Sequence, residues 1–339
     1  MFSPEGVAQL AKYKMVTIEK WYTPCAAQRP RQGDPSCAVE AKMFETFRAI
    51  KKLSPNTTCV MYLNSMFNFD FYSLAGQIDA LEASGKPAIL RDHLGEPVLL
   101  CNDGGGYCNV STFDLTKDYV RQLWIETVRD ASTEGLVAGV FADHGQKPIR
   151  PRHHSQFAQY CNNAVCYNFT QDFAERYNAA HFQMLNETQD MVSKYTAAGV
   201  RGGGPVVEGP YSNWHSNPCD FRALRAEAQQ GRVILANVMA HVEGGMIWKN
   251  ESCLAAFLCA MEQYTYLAFF HNPNPSLPTW APIYDLPLGK PQGPAEEGPE
   301  GVWKRTFVNG KGATGKTVAV YNEKLGKGHV DWSVPLPIV

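Results

Sequence analysis

The chain alternates between short apolar runs and longer stretches whose apolar residues recur every three or four positions. The short runs are Lys14–Trp21, Thr58–Asn64, Ala88–Arg91, Gly135–Asp143, Pro205–Glu208 and Val233–Val238, and each reads as a strand. The stretch Ala38–Leu53 places Val39, Met43, Phe47 and Ile50 on one stripe, and Leu115–Asp130 does the same with Val120, Leu123, Trp124 and Val128. Both read as amphipathic helices. A third helix, Phe173–Tyr195, carries Tyr177, Met184 and Met191, and a fourth, Phe221–Gln230, stops at Gly231. The run GLVAGVFAD, ending at Asp143, is almost continuously small and apolar, as expected of a strand covered on both faces of a parallel sheet. Ser252–Phe270 covers a last helix and a last strand.

Strand–helix alternation over this length predicts βαβ units and an α/β fold. The number of units fits a (β/α)8 TIM barrel over residues 1–272. An open doubly wound sheet is the competitor, but no G-x-G-x-x-G follows the first strand. Residues 273–339 differ. A Pro/Gly-rich wrap leads into Trp303–Asn309 and Thr317–Asn322, which read as a C-terminal β-hairpin packed on the barrel.

Composition narrows the partners. Of 339 residues, 45% are hydrophobic and 19% charged, and the net charge is −2, so there is no basic surplus to meet a nucleic acid backbone. No run is long and apolar enough to cross a membrane. The first residues lack a charged and then apolar leader, so no signal peptide is visible. Five N-x-[ST] sequons, at Asn56, Asn109, Asn168, Asn186 and Asn250, exceed the roughly two expected by chance. Ten cysteines, with Cys25/Cys37, Cys101/Cys108 and Cys161/Cys166 close in sequence, suit local disulfides stapling loops. Together these predict a processed, secreted glycoprotein; the alternative is a cytosolic chain with reduced thiols.

Candidate chemistry lies where barrels keep it, at the C-terminal ends of strands. Those ends carry Glu19 and Trp21, Asn64, Asp92, Asp143 and His144, Glu208 with Tyr211 and Trp214, and Asn237 with His241. Carboxylates among amides and aromatics suit cleavage of a glycosidic bond. One carboxyl protonates the leaving oxygen, and a second acts as nucleophile or base. Asp143 is the sharpest candidate, because an acid at the end of a buried apolar strand costs stability unless it is partnered or used. Glu208 is the second. For each, pairing with Arg or capping a helix is the competing explanation, and for Glu19 and Asp92 that explanation leads. The remaining rim residues would bind sugar hydroxyls or stack on sugar faces.

Other signals are weaker. Gly310–Thr317 matches a Walker A motif literally, but the alternating run Thr317–Tyr321 follows, so the glycines predict a hairpin turn and not a phosphate loop. His153 and His154 sit in a basic loop with Arg150 and Arg152. Adjacent histidines do not share a face and lack partners at ligand spacing, so no metal or other cofactor is expected. That loop suits an anion or plain solvation. No G-x-S-x-G occurs.

Several segments resemble the glycoside-hydrolase-like TIM-barrel family, whose members are uncharacterised glycosidase-like proteins. They are Val7–Lys20, Ile50–Thr57 leading into Val60–Asn64, Phe113–Lys117 leading into Gly139–Asp143, Leu288–Pro291, and Arg305–Gly310. The resemblance implies a (β/α)8 barrel with a C-terminal strand pair, hydrolysis of a polysaccharide or oligosaccharide, and Asp143 and Glu208 as the catalytic carboxylates. The Cys-rich rim loops and the His153–His154 loop depart from it. The rival expectation is a non-catalytic extracellular glycoprotein. Its barrel would be a building block of a coat, sheath or filament, with a homo-oligomer or larger assembly as its working state.

Overall fold

A computed structural model describes residues 2–18, 39–100, 110–133, 135–143, 169–192, 205–207, 221–229, 234–239, 251–263, 265–270, 282–308 and 315–333. The chain divides into two compact units, Met1–Glu208 and Gly209–Val339, both mixed α/β.

The first unit opens with α1 (Pro4–Leu10), whose first turn is closed by the Ser3 hydroxyl accepting from the Gly6 N–H. Next come β1 (Met15–Ile18), α2 (Val39–Leu53) and β2 (Thr58–Asn64). The stripe predicted for α2 is the face it buries: Val39, Met43, Phe47 and Ile50 are at most 1% exposed. From Cys59 onward every residue of β2 is buried, so this strand is covered on both faces. An excursion follows, holding β3 (Phe67–Asn68), α3 (Ser73–Ala83), β4 (Leu99–Leu100), β5 (Val110–Thr112) and α4 (Asp118–Thr133). The chain then returns as β6 (Gly139–Asp143), α5 (Gln171–Val192) and β7 (Pro205–Val207). The strands β1, β2, β6 and β7 pair in that order, all parallel, with Asn64 opposite Asp143 at the C-terminal edge.

One expected strand is corrected. Ala88–Arg91 is not a stave of the parallel sheet. It makes antiparallel bridges, Ile89 to Phe113 and Arg91 to Pro97, beside the small antiparallel sheet β3–β5–β4. The cause is local. The Asp92 carboxylate accepts from the N–H groups of Leu94 and Glu96, both at 2.9 Å, and Gly95 has φ +84°, so the chain reverses immediately after Arg91. Glu82 holds the start of the segment, accepting from the N–H groups of Ala88 and Ile89 and from Arg91.

The second unit contains α6 (Phe221–Gln229), β8 (Ile234–Met239), α7 (Glu251–Ala260) and β9 (Thr265–Phe270). The strands β8 and β9 are parallel neighbours through six residue pairs, joined through α7 as a βαβ crossover. Every residue of α7 from Cys253 to Ala260 is buried, the pattern of a helix covered on all sides. The C-terminal segment is larger than the expected hairpin. The pair β12 (Val302–Val308) and β13 (Lys316–Asn322) forms antiparallel as predicted, but it is the centre of a five-stranded sheet. The short strands β10 (Lys290–Pro291) and β11 (Glu296–Glu297) line β12, and β14 (Lys327–Asp331) lines β13. This sheet packs on α7 and α6 through Phe221, Leu224, Trp303, Phe307, Ala319 and Tyr321. At Gly328 a Cβ would lie 2.6 Å from the Val320 carbonyl oxygen and 2.8 Å from the Ala255 Cβ, so only glycine lets β14 approach α7 this closely. Lys316 and Thr317, the last residues of the Walker-like match, open a strand instead of a helix, so no phosphate-binding helix N-terminus is formed there.

Candidate functional site

The C-terminal edge of β2 and β6 gathers the polar groups of the first unit. In paired parallel strands, registered residues share a face. Tyr62 and Asn64 therefore lie on the same face as their partners Phe141 and Asp143. The Tyr62 and Phe141 rings stack with centroids 5.8 Å apart. This ring reaches toward the strand end, and its hydroxyl donates to Asp143 Oδ2. Asn64 Nδ2 donates to the same oxygen at 2.8 Å. Tyr62 and Asn64 are buried, and Asp143 is half-buried.

Both supporting side chains are themselves fixed. Asn64 Oδ1 accepts from the N–H groups of Met66 (2.9 Å) and Phe67 (2.8 Å), which orients the amide so that its N–H group faces Asp143. The Asn64 carbonyl accepts from the indole N–H of Trp124, a core residue of α4, at 3.0 Å. The Tyr62 carbonyl accepts from the Tyr72 hydroxyl at 3.0 Å. The main chain of Asp143 is held as well. Its carbonyl accepts from the Ser65 N–H at 3.0 Å and from the Ser65 hydroxyl at 2.6 Å. With that hydroxyl hydrogen committed, Ser65 Oγ accepts from His181 Nε2 on α5 at 2.9 Å, which assigns the Nε2-protonated tautomer. One turn earlier, the fully buried Tyr177 hydroxyl donates to the Phe113 carbonyl at 3.0 Å, and burial first, then the nearby Asp114, pushes its pKa well up.

Of the residues expected to act, the structure brings together Asp143 and Asn64. Asp92 is drawn into the turn described above, and its described hydrogen bonds stay within that turn. Asn237 is the fourth of the six residues of β8. Glu208, Glu19, Trp21, His144, Tyr211, Trp214 and His241 lie outside the described residues, as does the basic loop with Arg150, Arg152, His153 and His154. So do the sequon residues Asn109, Asn168 and Asn250 and the disulfide candidates Cys25, Cys37, Cys101, Cys108, Cys161 and Cys166. Asn56 is exposed in the turn before β2. Asn186 is half-buried within α5, and the hydroxyl of its sequon partner Thr188 is buried against the Met184 carbonyl at 2.7 Å. Three participants were missed by sequence reasoning: Tyr62, Ser65 and His181. Period-two alternation from Asn64 would have found Tyr62, and His181 lies on the predicted helix stripe between Tyr177 and Met184.

Among the described residues, no cluster of three or more His, Cys, Asp or Glu side chains could hold a metal ion, and no helix is long and apolar enough to cross a membrane. Chemically, the edge offers a preorganised carboxylate with two donors on one oxygen and a hydroxyl–imidazole pair behind its backbone.

A search of curated protein sequences finds no match to this chain. Solved structures that align with this chain include a xylosidase from Aspergillus niger, in which 82% of this chain aligns with 44% of that one at 14% identity and a TM-score of 0.47. The galactosidase domain of the alpha-galactosidase-sucrose kinase AgaSK aligns over 94% of this chain and 44% of its own at 11% identity and a TM-score of 0.44. A cycloalternan-degrading enzyme from Trueperella pyogenes aligns over 75% and 36% at 15% identity and a TM-score of 0.39. This chain thus spans less than half the length of each, and likeness of this size transfers no residue roles. Residues 51–311 match the family described as hypothetical glycosyl hydrolase family 15, and since that is most of the 339 residues, the chain belongs to this family.

Proposed function

We propose that the protein is a secreted glycoside hydrolase that cleaves a polysaccharide or oligosaccharide with a carboxylate pair, Asp143 and Glu208. The observation that carries this reading is the placement of Asp143. It ends a parallel strand at the C-terminal edge of the sheet, with its carboxylate oxygen gripped by Tyr62 and Asn64. Family membership supports the same chemistry. Glu208 is the next residue in sequence after β7, the parallel neighbour of β6, and that adjacency supports its choice as the second carboxylate.

The proposed architecture is a (β/α)8 barrel over residues 1–272, with 273–339 as a C-terminal sheet. Its support is connectivity: within the described residues β1, β2, β6 and β7 neighbour one another in chain order, as do β8 and β9, and neither of these described sheets shows the reversal of order of the doubly wound kind. In this reading Glu19, Trp21, Asn64, Asp92, His144, Tyr211, Trp214, Asn237 and His241 contact sugar, and the sequons and clustered cysteines belong to an extracellular life.

The test is Asp143→Asn and Glu208→Gln assayed on a glycan panel. Each is expected to lose turnover by at least a thousandfold while keeping the wild-type melting temperature within a few degrees; full turnover in both would remove the proposal. The anomer of the first product then separates a carboxyl gap of ~5 Å (retention) from one of ~6.5–9.5 Å (inversion).

A further inference from the structure

We infer that Tyr62 is a positioning residue which, with Asn64, commits Asp143 to the electron-donating role of nucleophile or base and leaves protonation of the leaving oxygen to the second carboxyl group. This rests on the hydrolase reading above and adds to it the division of labour between the two acids.

The argument begins with hydrogen-bond inventory. The Asn64 amide cannot turn over, because its oxygen already accepts two backbone N–H groups, from Met66 and Phe67. It therefore presents only a donor to Asp143 Oδ2, and that oxygen must be an acceptor. Tyr62 supplies a second donor to the same atom. Hydrogen bonds donated to a carboxylate stabilise its charged form over the neutral acid. A general acid requires the reverse, a proton held on the carboxyl and ready to leave.

Rigidity completes the case. The Tyr62 ring is stacked on Phe141 and its carbonyl is bonded to Tyr72. The Asp143 carbonyl is anchored by Ser65, which is backed by His181. These contacts hold the carboxylate in one orientation before the reaction, so its attacking oxygen does not have to be repositioned during it. The chemistry then balances in either stereochemical course. As a nucleophile, Asp143 forms a bond to the anomeric carbon while the bond from that carbon to the leaving oxygen breaks. As a base, Asp143 takes the proton of the attacking water while the water oxygen forms the new bond. In both, the leaving oxygen takes its proton from the second carboxyl group.

Two measurements test this, and the first needs no substrate. The infrared difference between wild type and Asp143→Asn is recorded at neutral pH on protein carrying isotope-labelled aspartate. It should show loss of an ionised carboxylate band, and in Tyr62→Phe, which keeps the stacked ring, that band should move. Loss of a protonated carboxyl band, or an unmoved band in Tyr62→Phe, would overturn the inference. The second uses phenyl and dinitrophenyl glycosides of the sugar that the wild type turns over. Tyr62→Phe should lower kcat by about a hundredfold with KM nearly unchanged, equally for both leaving groups. Recovery of Asp143→Asn activity on the dinitrophenyl glycoside alone would make Asp143 the acid and refute the assignment. A wild type that hydrolyses no glycoside would sink the hydrolase reading, while the infrared result would still decide whether Tyr62 holds Asp143 as an anion.

Discussion

Asn64 joins the fold to the candidate site, and its two functions can be separated by substitution. Replacing it with alanine deletes the acceptor for two buried N–H groups, those of Met66 and Phe67, which are 0% and 2% exposed. An orphaned buried donor costs roughly 1–3 kcal/mol, so Asn64→Ala should lose about 4 kcal/mol. For a unit the size of residues 1–208, at about 2–4 °C per kcal/mol, that is a fall of roughly 8–16 °C in Tm. Asn64→Asp keeps an acceptor for both N–H groups, but it sets a second carboxylate against Asp143 where the amide stood at 2.8 Å. Like charges this close raise the pKa of one member of the pair. The aspartate variant should therefore regain stability as pH falls from 7 toward 5, and the alanine variant should show no such gain beyond wild type. Thermal melts of the three proteins at several pH values, followed by circular dichroism, decide it. An alanine variant within about 1 kcal/mol of wild type, together with an aspartate variant without the pH response, would refute the reasoning.

Four further outcomes are expected. Glu40 is buried on α2 and accepts from the Ser73 N–H and hydroxyl, both at 2.7 Å, at the start of α3. Because the N-cap residue Tyr72 makes no side-chain cap, Glu40→Ala should destabilise by about 1–2 kcal/mol in urea unfolding. Burial pushes the thiols of Cys59 and Cys259 up to about 11 and about 12, so iodoacetamide at pH 8 should label both only after unfolding, as peptide mass mapping would show. Because their folded pKa values are raised above an unfolded value of about 9, their contribution to stability is complete below pH 9. It declines as pH rises through 11–12, which alkaline melts would record. Finally, millimolar Mg-ATP should not raise the Tm, since Lys316 and Thr317 lie in β13; a clear upward shift would revive the phosphate-loop reading.

What the sequence determined by itself is the part governed by local periodicity. The helices α2, α4, α5 and α6 and the strands β2, β6, β8 and β12–β13 fall within a few residues of their predicted bounds, because a 3.6-residue or two-residue repeat is written along the chain. The placement of Asp143 and Asn64 at strand ends was legible for the same reason. Tertiary structure decided the rest. Ala88–Arg91 has the composition of a strand, but its direction of pairing depended on a turn at Asp92 and on Glu82 reaching back. The cap of α3 comes from Glu40, thirty-three positions upstream of Ser73, where no neighbouring residue supplies it. Tyr62, Ser65 and His181 converge on Asp143 only because parallel register sets Asn64 opposite it and α5 lies against the same edge. Such contacts join residues 78 to 116 positions apart, so they arise from packing and not from any repeat a local pattern can display.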